Sequence, residues 1–119
     1  MTSVWRLLQY RQVVEAVLDS QPLDLESLEM RLDLLADRGN LCRRPISAPI
    51  EDGIFELRGT GPTRLLFYFR PNREIMFVHA VTKKQSKLDR KDIERAKRIR
   101  SQIEEDGERE DIDPVHDQD

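Results

Sequence analysis

The sequence predicts an α+β domain: an antiparallel sheet, made of a three-stranded meander and a short N-terminal strand, packed on two N-terminal helices and followed by a basic C-terminal helix and a disordered acidic tail. Three observations predict it. Apolar residues recur at helical spacing before Gly39 and again after Asp89, the period turns strand-like between Gly53 and Thr82, and the stretch from Glu104 onward carries charge with almost nothing to bury.

Taken in order, Ser3–Leu8 reads as a short strand running directly into a helix marked by Tyr10, Val13, Val14, Val17 and Leu18. Pro22 breaks the chain, Asp24 is placed to cap a second helix, and Gly39 stops it. Within that helix Leu25, Leu28, Leu32 and Leu35 form a stripe too short for a dimer zipper, so it reads as a packing face. A loop over Asn40–Asp52 follows, with Pro45 and Pro49. Gly53–Arg58, Thr63–Arg70 and Glu74–Thr82 are strands rich in Phe, Ile, Leu, Val and Tyr, joined by connections short enough to force an antiparallel meander. Asp89 is placed to cap a last helix reaching about Glu105, whose thin apolar line Ile93, Ala96, Ile99, Ile103 is outnumbered by basic residues. With no internal repeat, residues 1–105 read as one domain and 106–119 as a disordered tail.

The net charge of −3 averages two opposed halves. Glu104–Asp119 holds nine acids against Arg109, whereas Arg43–Arg100 holds 15 basic and 7 acidic side chains. An excess of that density is a candidate polyanion-binding surface. The lone Cys42 supports neither a disulfide nor a thiolate metal site. No apolar run of membrane length and no secretory leader is present, which predicts a cytoplasmic protein. HxxH, HExxH and glycine-rich phosphate-loop motifs are missing too, so no cofactor or metal is expected.

Strand register decides which side chains meet, because directly opposed residues share a face. A two-residue turn at Pro71-Asn72 would oppose Arg70 to Arg73, Phe67 to Met76, Tyr68 to Ile75 and Arg64 to His79; Arg58 would oppose Arg64, and Glu56 would oppose Leu66. One face is then a core of Phe55, Leu57, Leu65, Phe67, Phe69, Met76, Val78 and Ala80. The other is an open, half-apolar surface of Ile54, Glu56, Arg58, Arg64, Leu66, Tyr68, Arg70, Ile75, Phe77, His79 and Val81, with Lys83 continuing the parity. Each charged member alone reads as part of a solvated sheet face. Together, Arg58, Arg64, His79, Lys83 and Lys84 at one sheet end are the parts of a metal-free ribonuclease: arginines and lysines hold a phosphate and its developing charge, and an imidazole or the Tyr68 phenol moves protons.

The segments that carry these residues resemble a known family. They are Leu34-Leu35 with Gly39 and Pro45, Asp52-Gly-Ile-Phe-Glu-Leu-Arg58, Thr63-Arg-Leu-Leu-Phe-Tyr-Phe69, Val78-His-Ala-Val-Thr-Lys-Lys-Gln85 and Asp92-Ile-Glu-Arg-Ala96. In combination, over about residues 25–103, they resemble HigB-like toxins of the RelE superfamily, in its phage-derived branch. Ala80-Val81 departs from the small residue and aromatic usual after the histidine, and the acidic tail is longer than the pattern requires.

The resemblance implies the RelE fold and the toxin of a type II toxin–antitoxin module, an endoribonuclease that cuts mRNA in the ribosomal A site. Carried over by position, Arg58 and Arg64 would hold phosphate, Lys83 and Lys84 would assist, and His79 or Tyr68 would move the proton, with slight preference for His79. Attack of an RNA 2'-hydroxyl on the adjacent phosphate would give a 2',3'-cyclic phosphate without metal. Lys87, Lys91, Arg95 and Arg98 would contact RNA backbone. The implied partners are a helix-turn-helix, HigA-like antitoxin, mRNA and the ribosome, with no membrane. The alternative is a non-catalytic protein of the same fold, such as a gyrase poison or an inactive homologue. A further expectation concerns the acidic tail, which could fold back over the basic cluster as a polyanion mimic.

Overall fold

A computed structural model describes residues 4–82, 87–107 and 111–115. The elements in order are β1 (Arg6–Tyr10), α1 (Val13–Asp19), α2 (Leu25–Arg38), a 3-10 turn (Gly39–Leu41), β2 (Ser47–Glu51), β3 (Ile54–Arg58), β4 (Thr63–Arg70), β5 (Glu74–Thr82), α3 (Arg90–Asp106) and β6 (Ile112–Pro114). The strands form one mixed sheet in the order β2-β3-β4-β5-β1-β6. The α+β class, the two N-terminal helices, the meander and the last helix match expectation. The sheet is larger than predicted and not wholly antiparallel, because β1 runs parallel to β5.

Both faces of the sheet are covered. On the first, α1 and α2 press Val14, Leu18, Leu28, Leu32 and Leu35 onto Leu7, Leu57, Leu65, Phe67, Ile75 and Phe77. On the second, α3 presses Ala96, Ile99 and Ile103 onto Leu8, Ile54, Leu66, Tyr68, Met76 and Val78. Fully burying one such Leu or Ile contributes about 1.5–3 kcal/mol. Coverage on both sides explains why β1 and β4 read as nearly continuous apolar runs. The second face is therefore not the open surface that the sequence suggested.

Two features reset the register. The turn holds three residues, Pro71–Arg73, so Arg70 opposes Glu74; Asn72 and Arg73 both take positive φ, 65° and 57°. That extra residue sends Ile75 and Phe77 to the first face and Met76 and Val78 to the second, the reverse of the expected assignment. A bulge at Val78 then restores the parity. Beyond it Leu66 opposes His79 and Arg64 opposes Val81, so His79 stays on the second face but is not the direct partner of Arg64. The expected pairs Glu56–Leu66 and Arg58–Arg64 are present.

β2 arises within the predicted loop. Its Pro49 would be costly in a central strand, but β2 lies at the sheet edge, where a missing N–H is tolerated. β1 sits at Arg6–Tyr10 instead of Ser3–Leu8, and Ser3 lies outside the described residues.

The acidic tail also departs from expectation. Ile112–Pro114 pairs antiparallel with β1, and Val115 is buried in the first core. The physical reason is the outer edge of β1, whose backbone groups need partners: Arg11 N–H donates to Asp111 O, and Val115 N–H donates to Leu7 O.

Two polar side chains act across the fold. Asp24 makes no side-chain cap on α2. Its carboxylate instead accepts from the Gly61 and Thr63 N–H groups, both at 3.2 Å, and from the Thr63 hydroxyl at 2.9 Å. Gln9, in β1, accepts the Val14 and Glu15 N–H groups with one oxygen, both at 3.0 Å, and donates to Pro114 O at 3.1 Å. It thereby caps α1 and anchors β6. Asp89 stands at the N-cap of α3 without a side-chain cap bond; its carbonyl takes the N–H groups of Asp92 and Ile93.

Candidate functional site

The polar groups of the second face lie in adjacent rows across β3, β4 and β5. Arg58, Arg64 and Val81 form one row, and Glu56, Leu66 and His79 the next. Arg64 and His79 are thus diagonal neighbours, a relation that separates residues by about 7–8 Å in a sheet. Tyr68 opposes Met76 further along.

Burial divides these residues. Arg64 is 4 % exposed, and its Nη1 donates to Glu56 Oε1 at 3.0 Å. Tyr68 is equally enclosed, its hydroxyl donating to Glu104 of α3 at 2.6 Å. The same Glu104 oxygen stands 3.2 Å from Arg70 Nε. Burial and the neighbouring Glu104 push the Tyr68 phenol far above its ordinary range, so it holds α3 to the sheet and is poorly suited to giving up its proton. Arg58 is half-buried and has no ion-pair partner among the described residues. Lys83 and Lys84 lie outside the described residues.

His79 lines a cleft at the end of the sheet. After Gln9–Phe77 the parallel pairing of β1 and β5 ends, while β5 continues to Thr82. The gap is a cleft of about 310 Å³ walled by Tyr10 and Arg11 at the end of β1, Val13, Ala16 and Val17 of α1, Val78, His79 and Ala80 of β5, and Arg95 and Ile99 of α3. His79 Nε2 lies 3.0 Å from Asp92 Oδ1, in the first turn of α3.

The basic side chains of α3 fall into two sets. Arg90 and Lys97 pair with Glu51, and Arg100 pairs with Asp52, tying the helix to the β2–β3 turn. The hydrogen bond from Arg90, backed by one from Lys97, holds the Glu51 carboxyl down at about 2. Lys91, Arg95 and Arg98 follow at steps of four and three on the exposed side, and Lys87 is exposed just before the helix. Of these four expected RNA contacts, only Arg95 lines the His79 cleft.

A second cleft, of about 330 Å³, lies on the first face between Arg43, Arg44, Pro49, Phe55 and Phe69. Among the described residues no group of three or more His, Cys, Asp and Glu is gathered to hold a metal ion. No helix is long and apolar enough to cross a membrane among them.

Sequence reasoning missed Asp92, and with it Tyr10 and Arg11. The signal for Asp92 was present: Asp92, Arg95 and Ile99 recur at helical spacing, so a carboxylate and an arginine share a side of α3 with a buried isoleucine.

No curated protein matches the chain. The model of one protein family does, over residues 18–101, which takes in both cores from the end of α1 to most of α3. By that match the chain belongs to the family described as phage derived protein Gp49-like (DUF891).

Proposed function

We propose that the protein is the toxin of a type II toxin–antitoxin module: a HigB-like member of the RelE superfamily with a RelE-like fold, cutting mRNA on the ribosome without a metal ion. Gp49-like proteins are a toxin-like family of toxin–antitoxin systems, which supports the class. The observation that carries the chemistry is the placement of Arg58, Arg64 and His79 in neighbouring rows of one sheet face, with Arg95 across the cleft. Guanidinium groups on that scale suit a phosphodiester and the charge it gains in the transition state.

In the reaction the RNA 2'-oxygen bonds to phosphorus and the bond to the 5'-oxygen breaks. His79 takes the 2'-hydroxyl proton, and water protonates the leaving oxygen. Arg58, half-buried, and Arg95, exposed, hold the phosphate; the buried Arg64 adds its charge, and Lys83 and Lys84 add theirs. Lys87, Lys91 and Arg98 meet RNA backbone through salt-sensitive contacts. The partners are a helix-turn-helix antitoxin, mRNA and the ribosome, and the site of action is the cytoplasm.

Incubating the protein with ribosomes programmed with a defined mRNA, and mapping the 5' ends, tests the reading. Wild type should give discrete cuts, and Arg58→Ala or His79→Ala should lower their rate by roughly 100-fold or more. A folded His79→Ala, Arg58→Ala double variant that cuts as fast as wild type would sink it. The cover that α3 places over Arg64 and Tyr68 favours a second reading, a binding-only protein of the same fold such as a gyrase poison. Expression that produces DNA damage and intact transcripts would select it.

A further inference from the structure

We infer that Asp92 is a positioning residue, which fixes His79 as the tautomer protonated on Nε2 and so leaves Nδ1 as the basic nitrogen for RNA. The inference rests on the ribonuclease reading and deepens it. Four observations converge on the pair. Nε2 lies 3.0 Å from Asp92 Oδ1, within a hydrogen bond. Both side chains are mostly enclosed, at 17 % and 14 % exposure, so water competes weakly for the bond. An ionised carboxylate only accepts, so the proton of that bond belongs to the imidazole. The remaining nitrogen, Nδ1, has no partner among the described residues, and His79 lines the cleft.

The two anchors differ in rigidity, which makes the arrangement directional. His79 sits just past the β5 bulge, where β1 no longer pairs with the strand, and a ring there has no sheet neighbour on that side to hold its orientation. Asp92 belongs to a helix pinned by Ala96, Ile99 and Ile103 in the second core. The helix therefore orients the ring, as a carboxylate orients the base in hydrolytic triads. Arg95, one turn on from Asp92, faces the same cleft without an ion-pair partner among the described residues. A phosphate held there would stand beside the nitrogen that Asp92 leaves free.

The groups around the pair are Arg11 and Tyr10 from the end of β1, Arg95 from α3, and Asp89 at the start of α3. Asp111 pairs with Arg11 at 3.2 Å at the cleft rim.

The test reads the tautomer first, without activity. In ¹⁵N-histidine-labelled protein carrying His116→Gln, so that His79 is the only imidazole, the neutral ring should give Nε2–H and an unprotonated Nδ1. Asp92→Asn should shift the ring toward the other tautomer, because its amide can donate to Nε2. Single-turnover cleavage on ribosomes should then fall by roughly 100-fold in Asp92→Asn with ribosome binding unchanged, and Asp92→Glu should recover part of the loss. Nδ1–H in the wild-type ring overturns the inference, and so does a folded Asp92→Asn that cleaves at the wild-type rate. If the wild-type ring is Nε2–H yet no RNA is cut, the pair is upheld and the ribonuclease reading alone fails.

Discussion

Glu56 and Arg64 form an ion pair 3.0 Å long beneath α3, with the arginine 4 % exposed. The pair joins β3 to β4 diagonally, with Glu56 in the row of His79 and Arg64 in the next, and α3 lies over that face, which removes most of the solvent that would otherwise screen either charge.

Removing one member should therefore cost far more than a surface pair would. Glu56→Ala should destabilise the protein by about 3–5 kcal/mol, since it removes the carboxylate bonded to a buried guanidinium. Replacing both residues by apolar ones of similar size should restore most of that loss. Urea unfolding of the two variants checks this, and a Glu56→Ala cost below about 1 kcal/mol, typical of exposed pairs, would show that α3 does not cover the site in solution.

Tyr68 gives a second discrimination. Its hydroxyl donates to Glu104 at 2.6 Å while Arg70 approaches the same oxygen at 3.2 Å. Tyr68→Phe should lose a hydrogen bond to a charged group, about 1.5–3 kcal/mol, with cleavage retained. His79→Ala should instead lower cleavage by roughly 100-fold or more. Loss of cleavage in a folded Tyr68→Phe would move the proton transfer to the phenol.

How legible the molecule was in its sequence depends on how local each signal is. α3 was found nearly to the residue, because Ile93, Ala96, Ile99 and Ile103 repeat along one helix and all four are buried. The register failed at one residue: Arg73 joins the turn, and one extra position sends every side chain up to the bulge to the other face. The cover over the second face was implied by Ile54, Leu66 and Tyr68, which could not all stay in water. The excess of arginine and lysine on α3 obscured that, although three of those charges turn out to hold the helix to the β2–β3 turn. It is that cover which brings Asp92 to His79. Gln9 has no local signature, since its partners include Pro114 at the far end of the chain.

Asp24 reads locally as a helix cap, yet it organises the connection between β3 and β4. Asp24→Ala should cost about 3 kcal/mol by leaving several donors unsatisfied, and Asp24→Asn, which keeps one acceptor oxygen, should cost less. A Cβ at Gly59 would stand 2.3 Å from Asp24 Oδ2, so Gly59→Ala should displace the same carboxylate. The two substitutions should then be strongly non-additive in thermal or urea unfolding. Additive costs would separate the glycine from the aspartate.

Glu51 links acid stability to the seating of α3. Its folded-state carboxyl titrates at about 2, against an ordinary value of 4.5, because of the bonds from Arg90 and Lys97. A depressed folded value means that the contribution is full above about pH 4.5 and is lost as pH falls toward 2. The stability difference between wild type and Glu51→Gln should therefore shrink across that window and vanish at its acid end. Because the pairs are exposed, about 0.5 M salt should reduce the difference at neutral pH as well. A difference that grows on acidification contradicts the assignment.

The C-terminal strand yields the last prediction. Ile112–Pro114 closes the outer edge of β1, Val115 enters the first core, and Pro114 O accepts from Gln9, whose other end caps α1. Deleting residues 108–119 should remove about 1.5–3 kcal/mol from Val115 burial alone. It should also loosen α1 through Gln9 and expose an unpaired strand edge able to pair with a second copy. Urea unfolding should show the loss, and size-exclusion chromatography should show association that grows with concentration. A tail that merely solubilised the domain, or only screened its basic cluster from RNA, would leave the urea midpoint unmoved. Val115→Ala separates the contributions: it should reproduce part of the stability loss while leaving β1 covered and the protein no more associated than wild type.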